Sequence, residues 1–271
     1  MKNVFLYIGL FLITSSCSPF VDSPFSDTLL RPERNLNMTS INKLGDIESD
    51  NLVRIAVFSD SHQNYKELDK VTFAINAAED IDFVAGLGDY TNSSYNLEYD
   101  QFLDGLQYLD PPKMMAIGNH DAIGAGPQLF KKAFGNANFY FESTNYRFVF
   151  FNSNNLEDPE GFDLDWLTNA IVTAKKVFIF SHVQLRDSER YFGTDATKLN
   201  AIITAANVQV IFNGHNHVYD LMTDNNTVMV QCGRVDGDDG AHWLQIDIAL
   251  PATQICIKRM DTMESACENL K

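Results

Sequence analysis

Leu52-Val53-Arg54-Ile55-Ala56-Val57-Phe58 runs without a turn residue into Ser59-Asp60-Ser61-His62, and that junction sets the reading of everything around it. A short, nearly continuous apolar run predicts a buried strand of the kind that parallel sheets use. It ends on side chains that bind protons or metals. The event repeats downstream. Tyr65 to Glu79 places Leu68, Val71, Ala74, Ile75 and Ala78 at helical spacing, and Ile81 to Leu87 is a second strand that stops at Gly88-Asp89. Leu97 to Tyr108 predicts a helix, and Lys113 to Ile117 a strand ending at Gly118-Asn119-His120-Asp121. Val177 to Phe180 ends at Ser181-His182, and, after a helix near Ala196 to Ala205, Val208 to Phe212 ends at Gly214-His215-Asn216-His217. Alternating strands and helices predict an α/β fold.

Between these repeats lie two aromatic-rich strands, about Phe139 to Glu142 and Arg147 to Asn152, and a helix opening near Asp163. The remainder alternates like antiparallel strands, about Val228 to Cys232, Trp243 to Ile248 and Gln254 to Lys258.

With 271 residues, 45% of them hydrophobic and 21% charged, the chain has the composition of one large globular core, which excludes a disordered or coiled-coil protein. Its formal net charge of −16 works against a nucleic-acid partner held through phosphates. Bound cations would offset that charge locally.

The amino terminus reads as an export signal. Met1, Lys2 and Asn3 precede the apolar run Val4 to Ile13, too short to span a membrane, and Thr14-Ser15-Ser16 supplies a small-residue end over residues 1–16. The small residues before Cys17 resemble the lipobox of bacterial lipoproteins, although Thr14 stands where an aliphatic residue is usual. The resemblance implies a lipidated Cys17, attachment to a membrane and a place at the cell envelope; a soluble secreted protein is the alternative. Residues 17–51, with Pro19, Pro24 and Pro32, read as a flexible tether, 52–260 as the folded domain and 261–271 as a tail. Cys232, Cys256 and Cys267 lack metal-site spacing; a disulfide between two of them and buried thiols on strands are both open.

Five of the six histidines, two aspartates and an asparagine end apolar strands beside Gly or Ser, whereas His242 lies outside the pattern. Open α/β sheets place ligands at the carboxyl ends of their strands, and imidazole with carboxylate suits zinc, iron or manganese.

In order and spacing, Asp60-Ser61-His62, Gly88-Asp89, Gly118-Asn119-His120-Asp121, Ser181-His182 and Gly214-His215-Asn216-His217 resemble the five motif blocks of the calcineurin-like metallophosphoesterases. The resemblance implies two β-sheets packed face to face with helices outside and two metal ions, Mn, Fe or Zn, at the strand ends. It assigns Asp60, His62 and His217 to the first ion, Asn119, His182 and His215 to the second, and Asp89 to both. Such ions lie about 3.5 to 4 Å apart, so an anionic bridge is needed to offset their repulsion. A metal-activated hydroxide would attack the phosphorus of a small phosphoester, His120 would protonate the leaving oxygen, and Asp121 would orient and charge His120.

Two departures narrow the subclass. Purple acid phosphatases carry Gly where His62 stands and a metal-binding Tyr where Asn92 stands, so no Fe(III)-tyrosinate centre is expected. Val183-Gln184-Leu185 after His182 departs from the cyclic-nucleotide branch. A metallo-β-lactamase pattern fails because Asp220 falls one place late after His215 and His217. The alternative to an enzyme is an inactive envelope lipoprotein using the fold as a binding module; the presence of every ligand position and of His120 weighs against it.

Overall fold

Each apolar run that precedes a polar junction is a strand, and its buried faces explain why. The computed structural model describes residues 23–31, 34–235, 242–250 and 253–271. In chain order the elements begin with α1 (Leu36–Ile41), β1 (Leu52–Phe58), α2 (Tyr65–Ala77), β2 (Phe83–Gly86), α3 (Asn96–Leu106), β3 (Lys113–Met115), a 3-10 turn at His120–Ala122 and α4 (Gly126–Phe134). They continue with β4 (Phe139–Glu142), β5 (Tyr146–Phe150), α5 (Leu164–Ala170), β6 (Lys176–Phe180), α6 (Gly193–Ile203) and β7 (Val208–Asn213). The last are β8 (Asp220–Asp224), β9 (Thr227–Gln231), β10 (Leu244–Ala249), β11 (Gln254–Arg259) and β12 (Ser265–Asn269).

Two six-stranded sheets form, in the orders β12-β11-β10-β1-β2-β3 and β4-β5-β6-β7-β9-β8. Strands β1, β2 and β3 run parallel, as do β5, β6, β7 and β9. Alternate side chains divide between two cores. Ile55, Val57 and Ala85 meet Phe148, Phe150, Phe180 and Phe212 between the sheets, while Ala56, Phe58 and Val84 face helices on one outer side and Val149, Ile179 and Ile211 on the other. Phe150, Phe180 and Phe212 are register partners whose rings stack at 4.7 and 4.8 Å with planes 12° and 11° apart. The expected α/β architecture of facing sheets flanked by helices is therefore the observed one.

Three expectations change. Strand β9 is parallel to β7, because the unanticipated β8 turns back through Asn225 and Asn226, both with positive φ (48° and 61°), into an antiparallel hairpin. The 261–271 tail contains β12, which pairs with β11 and is joined to it by a Cys256–Cys267 disulfide at directly opposed positions; Cys232 is a buried free thiol. Its alternation was weak in sequence because an edge strand buries little. The tether expected over 17–51 does not hold for the described residues 23–31 and 34–51. Leu29 and Ile47 are buried, and the Asn37 carboxamide pairs with the Met115 backbone, donating to its O (3.1 Å) and accepting from its N (2.8 Å), so it continues the ladder at the open edge of β3. Cys17 and the apolar run before it lie outside the described residues. Among the described residues no helix is long and apolar enough to cross a membrane.

The buried Asp100 carboxylate fastens this amino-terminal strap by accepting from the Leu30 N–H at 3.0 Å and the Arg31 N–H at 2.9 Å. Asp100→Ala leaves both donors without that acceptor, at a cost of about 1–3 kcal/mol. A thermal midpoint lowered by several degrees and faster tryptic cleavage after Arg34 are expected, the Arg31–Pro32 bond being resistant to trypsin; cleavage at the wild-type rate would show that the strap is held elsewhere.

Candidate metal centre

The parallel strands of both sheets end at one edge of the sandwich, and the loops leaving β1, β2, β3, β6 and β7 meet there. Asp60, His62, Asp89 and His217 place one ligand atom each within 4.8 Å of one another, and Asp89, His182 and His215 do the same. Asp89 belongs to both groups. The Asn119 carboxamide oxygen lies 3.0 Å from His182 Nε2 and 2.9 Å from His215 Nδ1, which completes the second group. All seven sequence-derived ligand positions are thus brought together in the expected division.

The backbone is bent to achieve this. Asp60, His62, Asp89, His215 and His217 have φ of 54°, 44°, 56°, 75° and 61°, in the left-handed region that costs a non-glycine residue on the order of 1 kcal/mol or more. A strand continued in extended form would send alternate side chains to opposite faces, whereas one left-handed residue turns the chain across the sheet edge. Glycine is required where two of these turns touch. A Cβ on Gly118 would overlap the backbone N and Oδ1 of Asp89, and one on Gly214 would overlap Ser59 Oγ.

Backbone carbonyls fix the imidazoles. His182 Nδ1 lies 2.9 Å from the Leu87 carbonyl, His62 Nδ1 lies 3.2 Å from that of Thr91, and each Nδ1–H donates to it. Their Nε2 atoms are thereby directed into the centre. Ser153 Oγ accepts from the backbone N–H groups of His182 (3.2 Å) and Val183 (2.9 Å), so the end of β5 supports the end of β6. Thr91 and Ser153 went unnoticed in the sequence, and Asn92 was noticed only for standing where a metal-binding Tyr would be. Of these only Ser153 offered a signal, a hydroxyl just past an apolar strand; a backbone carbonyl offers none.

His120 is held differently. Its Nδ1 lies 2.7 Å from the Asn92 carbonyl, and its ring packs edge-on to His62 with centroids 5.1 Å apart. The expectation that Asp121 orients and charges His120 is corrected here. The fully buried Asp121 accepts through Oδ1 from Tyr90 N, Thr91 N and Thr91 Oγ1, each at 2.9 Å, and through Oδ2 from Gly118 N at 3.0 Å. It ties the Asp89 loop to the Asn119 loop instead. Burial and the Asp89 charge push its carboxyl up to about 7 despite these donors. Tyr90, buried with its hydroxyl 2.9 Å from the Ala116 carbonyl, serves packing and contributes no phenolate.

Two observations test whether the residues suit metal ions. Asp60 Oδ1 is buried and no donor reaches it in hydrogen-bonding geometry, His217 Nε2 lying 3.4 Å away, so a cation there would meet an incompletely satisfied carboxylate. His62 Nε2 and His217 Nε2 face each other at 3.3 Å, both directed toward one point. In the metal-free chain the second group is held by a charge pair. Burial disfavours charge on Asp89, but His182 and its hydrogen bond (3.1 Å), with His120, outweigh it and hold the carboxyl down at about 2; burial likewise opposes an imidazolium at His182, yet Asp89 raises it to about 9. Burial, followed by the nearby His182 charge, lowers His215 to about 4, and the Asp60 carboxylate that His217 Nε2 faces at 3.4 Å raises His217. A cation can replace each of these protons.

Fold and site together present two groups of potential metal ligands that share one carboxylate. The chain belongs to the calcineurin-like phosphoesterase family, whose model matches residues 53–219. No curated protein matches it by sequence. Among solved structures it is similar to a dimetal phosphatase from Danio rerio (13% identity, 81% of this chain and 99% of that one, TM-score 0.64). It is also similar to the purple acid phosphatase PPD1 from yellow lupin, Lupinus luteus (14%, 80% and 54%, TM-score 0.63). A third similar structure is GAP50, the anchor in the inner membrane complex of Plasmodium (14%, 81% and 89%, TM-score 0.59). At these identities the likeness is one of fold.

Because Asp89 lies in both groups, Asp89→Ala should reduce bound metal more than Asp60→Ala does, and Gly118→Ala should reduce it as well by displacing Asp89. Metal analysis per chain decides this; two ions retained in Asp89→Ala would break the assignment.

Proposed function

We propose that the chain hydrolyses small phosphoesters with two metal ions, drawn from manganese, iron and zinc, held by Asp60, His62 and His217 on one side and by Asn119, His182 and His215 on the other, with Asp89 between. The observation that carries the reading is that one buried carboxylate belongs to two ligand groups. When bound, the ions would supply Lewis acidity toward water and the phosphoryl oxygens. Asp60 and Asp89 are the only carboxylates among the seven ligands, and the neutral Asn119 adds none, so a loaded centre keeps a net positive charge for a phosphate. Asp121 and Gly118 hold the two loops that set the position of Asp89.

His120 acts on the leaving group. Its Nδ1–H donates to the Asn92 carbonyl, which leaves Nε2 to carry the proton that the departing oxygen needs. The backbone N–H of His120 donates to Asp89 Oδ1 at 2.8 Å, which ties the acid to the ligand shared by the two groups. His120→Asn is expected to lower kcat for an alkyl phosphoester by about 100-fold or more, the usual scale of general acid catalysis, and far less for a nitrophenyl ester, with metal content unchanged. Equal losses on both substrates would remove the acid role.

The same reading places the enzyme at the cell envelope, exported by residues 1–16 and anchored through lipid on Cys17. The Cys256–Cys267 disulfide supports an oxidising compartment. The strap begins by Ser23, so the span from Cys17 is about six residues, at most about 20 Å of extended chain. The domain would therefore sit close to the membrane. Wild-type protein should partition into detergent and Cys17→Ser should not; wild-type protein that stays aqueous, with an unmodified Cys17 by mass analysis, would leave only the secreted alternative.

A further inference from the structure

Next to the 3-10 turn that begins at His120 lies a cavity of about 330 Å³ lined by none of the metal ligands. Ser93, Ser94 and Tyr95 form one wall, on the loop that follows Asp89, and Ile123 with its neighbours forms another, just past the 3-10 turn that carries His120. The third wall is Phe25 of the amino-terminal strap. None of the residues lining it carries a charge. Its joint with the catalytic turn is short: Ser94 Oγ donates to the His120 carbonyl at 2.6 Å and accepts from the Ile123 N–H at 3.0 Å.

The exposed rings are held in place. Phe25 is 76% exposed and meets Tyr95 edge to face with centroids 5.5 Å apart. Ile123 is 44% exposed. Phe25 is carried by a fastened segment: the Asp27 carboxylate pairs with Lys132 Nζ at 2.7 Å, the Thr28 carbonyl accepts from Asn96 Nδ2 at 3.2 Å, Leu29 is buried, and Asp100 takes the next two N–H groups. On the other side, the Glu98 carboxylate accepts from Ser93 N (3.0 Å) and Tyr95 N (2.9 Å), which fixes that loop. Exposed aromatic surface held in place next to the His120 turn gains about 25 cal/mol per Å² when an apolar group covers it.

We propose that this cavity receives the organic group of the substrate, and that the group is uncharged and aromatic. It rests on the phosphoesterase reading of the metal centre. With phosphorus at the metal ligands and the leaving oxygen at His120, the group borne by that oxygen points along the His120 turn into the cavity, where an aryl ring meets Phe25, Tyr95 and Ile123. A second phosphate or a carboxylate finds no cationic side chain among these walls, so sugar bisphosphates and similar dianionic tails are poor occupants. Phe25 is thus a specificity residue contributed from outside the five motif blocks.

Binding of phenylphosphonate and methylphosphonate to the manganese-reconstituted protein, measured by calorimetry, tests this without turnover. The phenyl compound should bind about 10-fold more tightly, the scale expected for burying one ring face. Phe25→Ala and Ile123→Ala should each reduce that ratio to about 3-fold or less, and Phe25→Trp should keep it. Equal affinity for the two phosphonates, or a ratio unchanged in both alanine variants, overturns the proposal. Turnover of phenyl phosphate is scored separately: a phenyl preference that depends on Phe25, in a protein that hydrolyses no phosphoester, upholds the cavity and rejects the activity.

Discussion

Everything at the strand ends depends on holding one carboxylate, that of Asp89, in a place with almost no access to water. A buried carboxylate is costly unless charge and hydrogen bonds meet it. Here the His120 N–H takes Oδ1 and His182 takes Oδ2, and two metal ions can take over that role. The carboxylate reaches its place only because β2 and β3 are parallel neighbours in register, with Gly86 beside Met115, so that their outgoing loops run side by side. Gly118 removes the Cβ that would collide with Asp89, and Asp121 draws the N–H groups of both loops to a single carboxylate.

The strain in those loops has a plain energetic source. Five ligand residues in left-handed backbone together cost several kcal/mol, on the order of 1 kcal/mol each, comparable with much of the net stability of a domain. The aromatic stack between the sheets and the two outer cores offset it, being anchored in strands whose buried faces are continuous. Rigid sheets and strained loops divide the work: the sheets set where each loop starts, and the left-handed residues set which way it turns. The amino-terminal strap adds an element from outside that plan, and its Phe25 lines a cavity with Tyr95 and Ile123 next to the His120 turn.

Reading the sequence succeeded where a signal was repeated. The strands at Leu52–Phe58 and Val208–Asn213 are mostly apolar, and their polar endings recur often enough to mark one edge of the sheets as the place of the candidate ligands. It failed where a role is carried by backbone or by one side chain acting at a distance. Asp121 sits next to His120 in sequence, which suggested a pair, yet its side chain turns the opposite way to collect four donors from two loops. The tether reading erred for a related reason. Residues 23–51 are polar and lack periodicity, and they dock through individual contacts such as Asn37 on Met115 and Leu30 on Asp100, which composition does not register.

The sequence by itself determined the α/β class, the positions of the buried strands and the polar residues that end them, because burial periodicity and strand-terminal chemistry are local properties of the chain; the division of seven of those residues into two ligand groups came from the resemblance to the family's motif blocks. Tertiary structure alone decided that Asp121 ties the Asp89 loop to the Asn119 loop, that β9 joins its sheet in parallel, that Cys256 faces Cys267, and that Phe25 stands beside the His120 turn. Each of these joins residues far apart along the chain or on neighbouring strands. Their distances follow from sheet order and register, and no short stretch of sequence contains both partners together with the strand that brings them into contact.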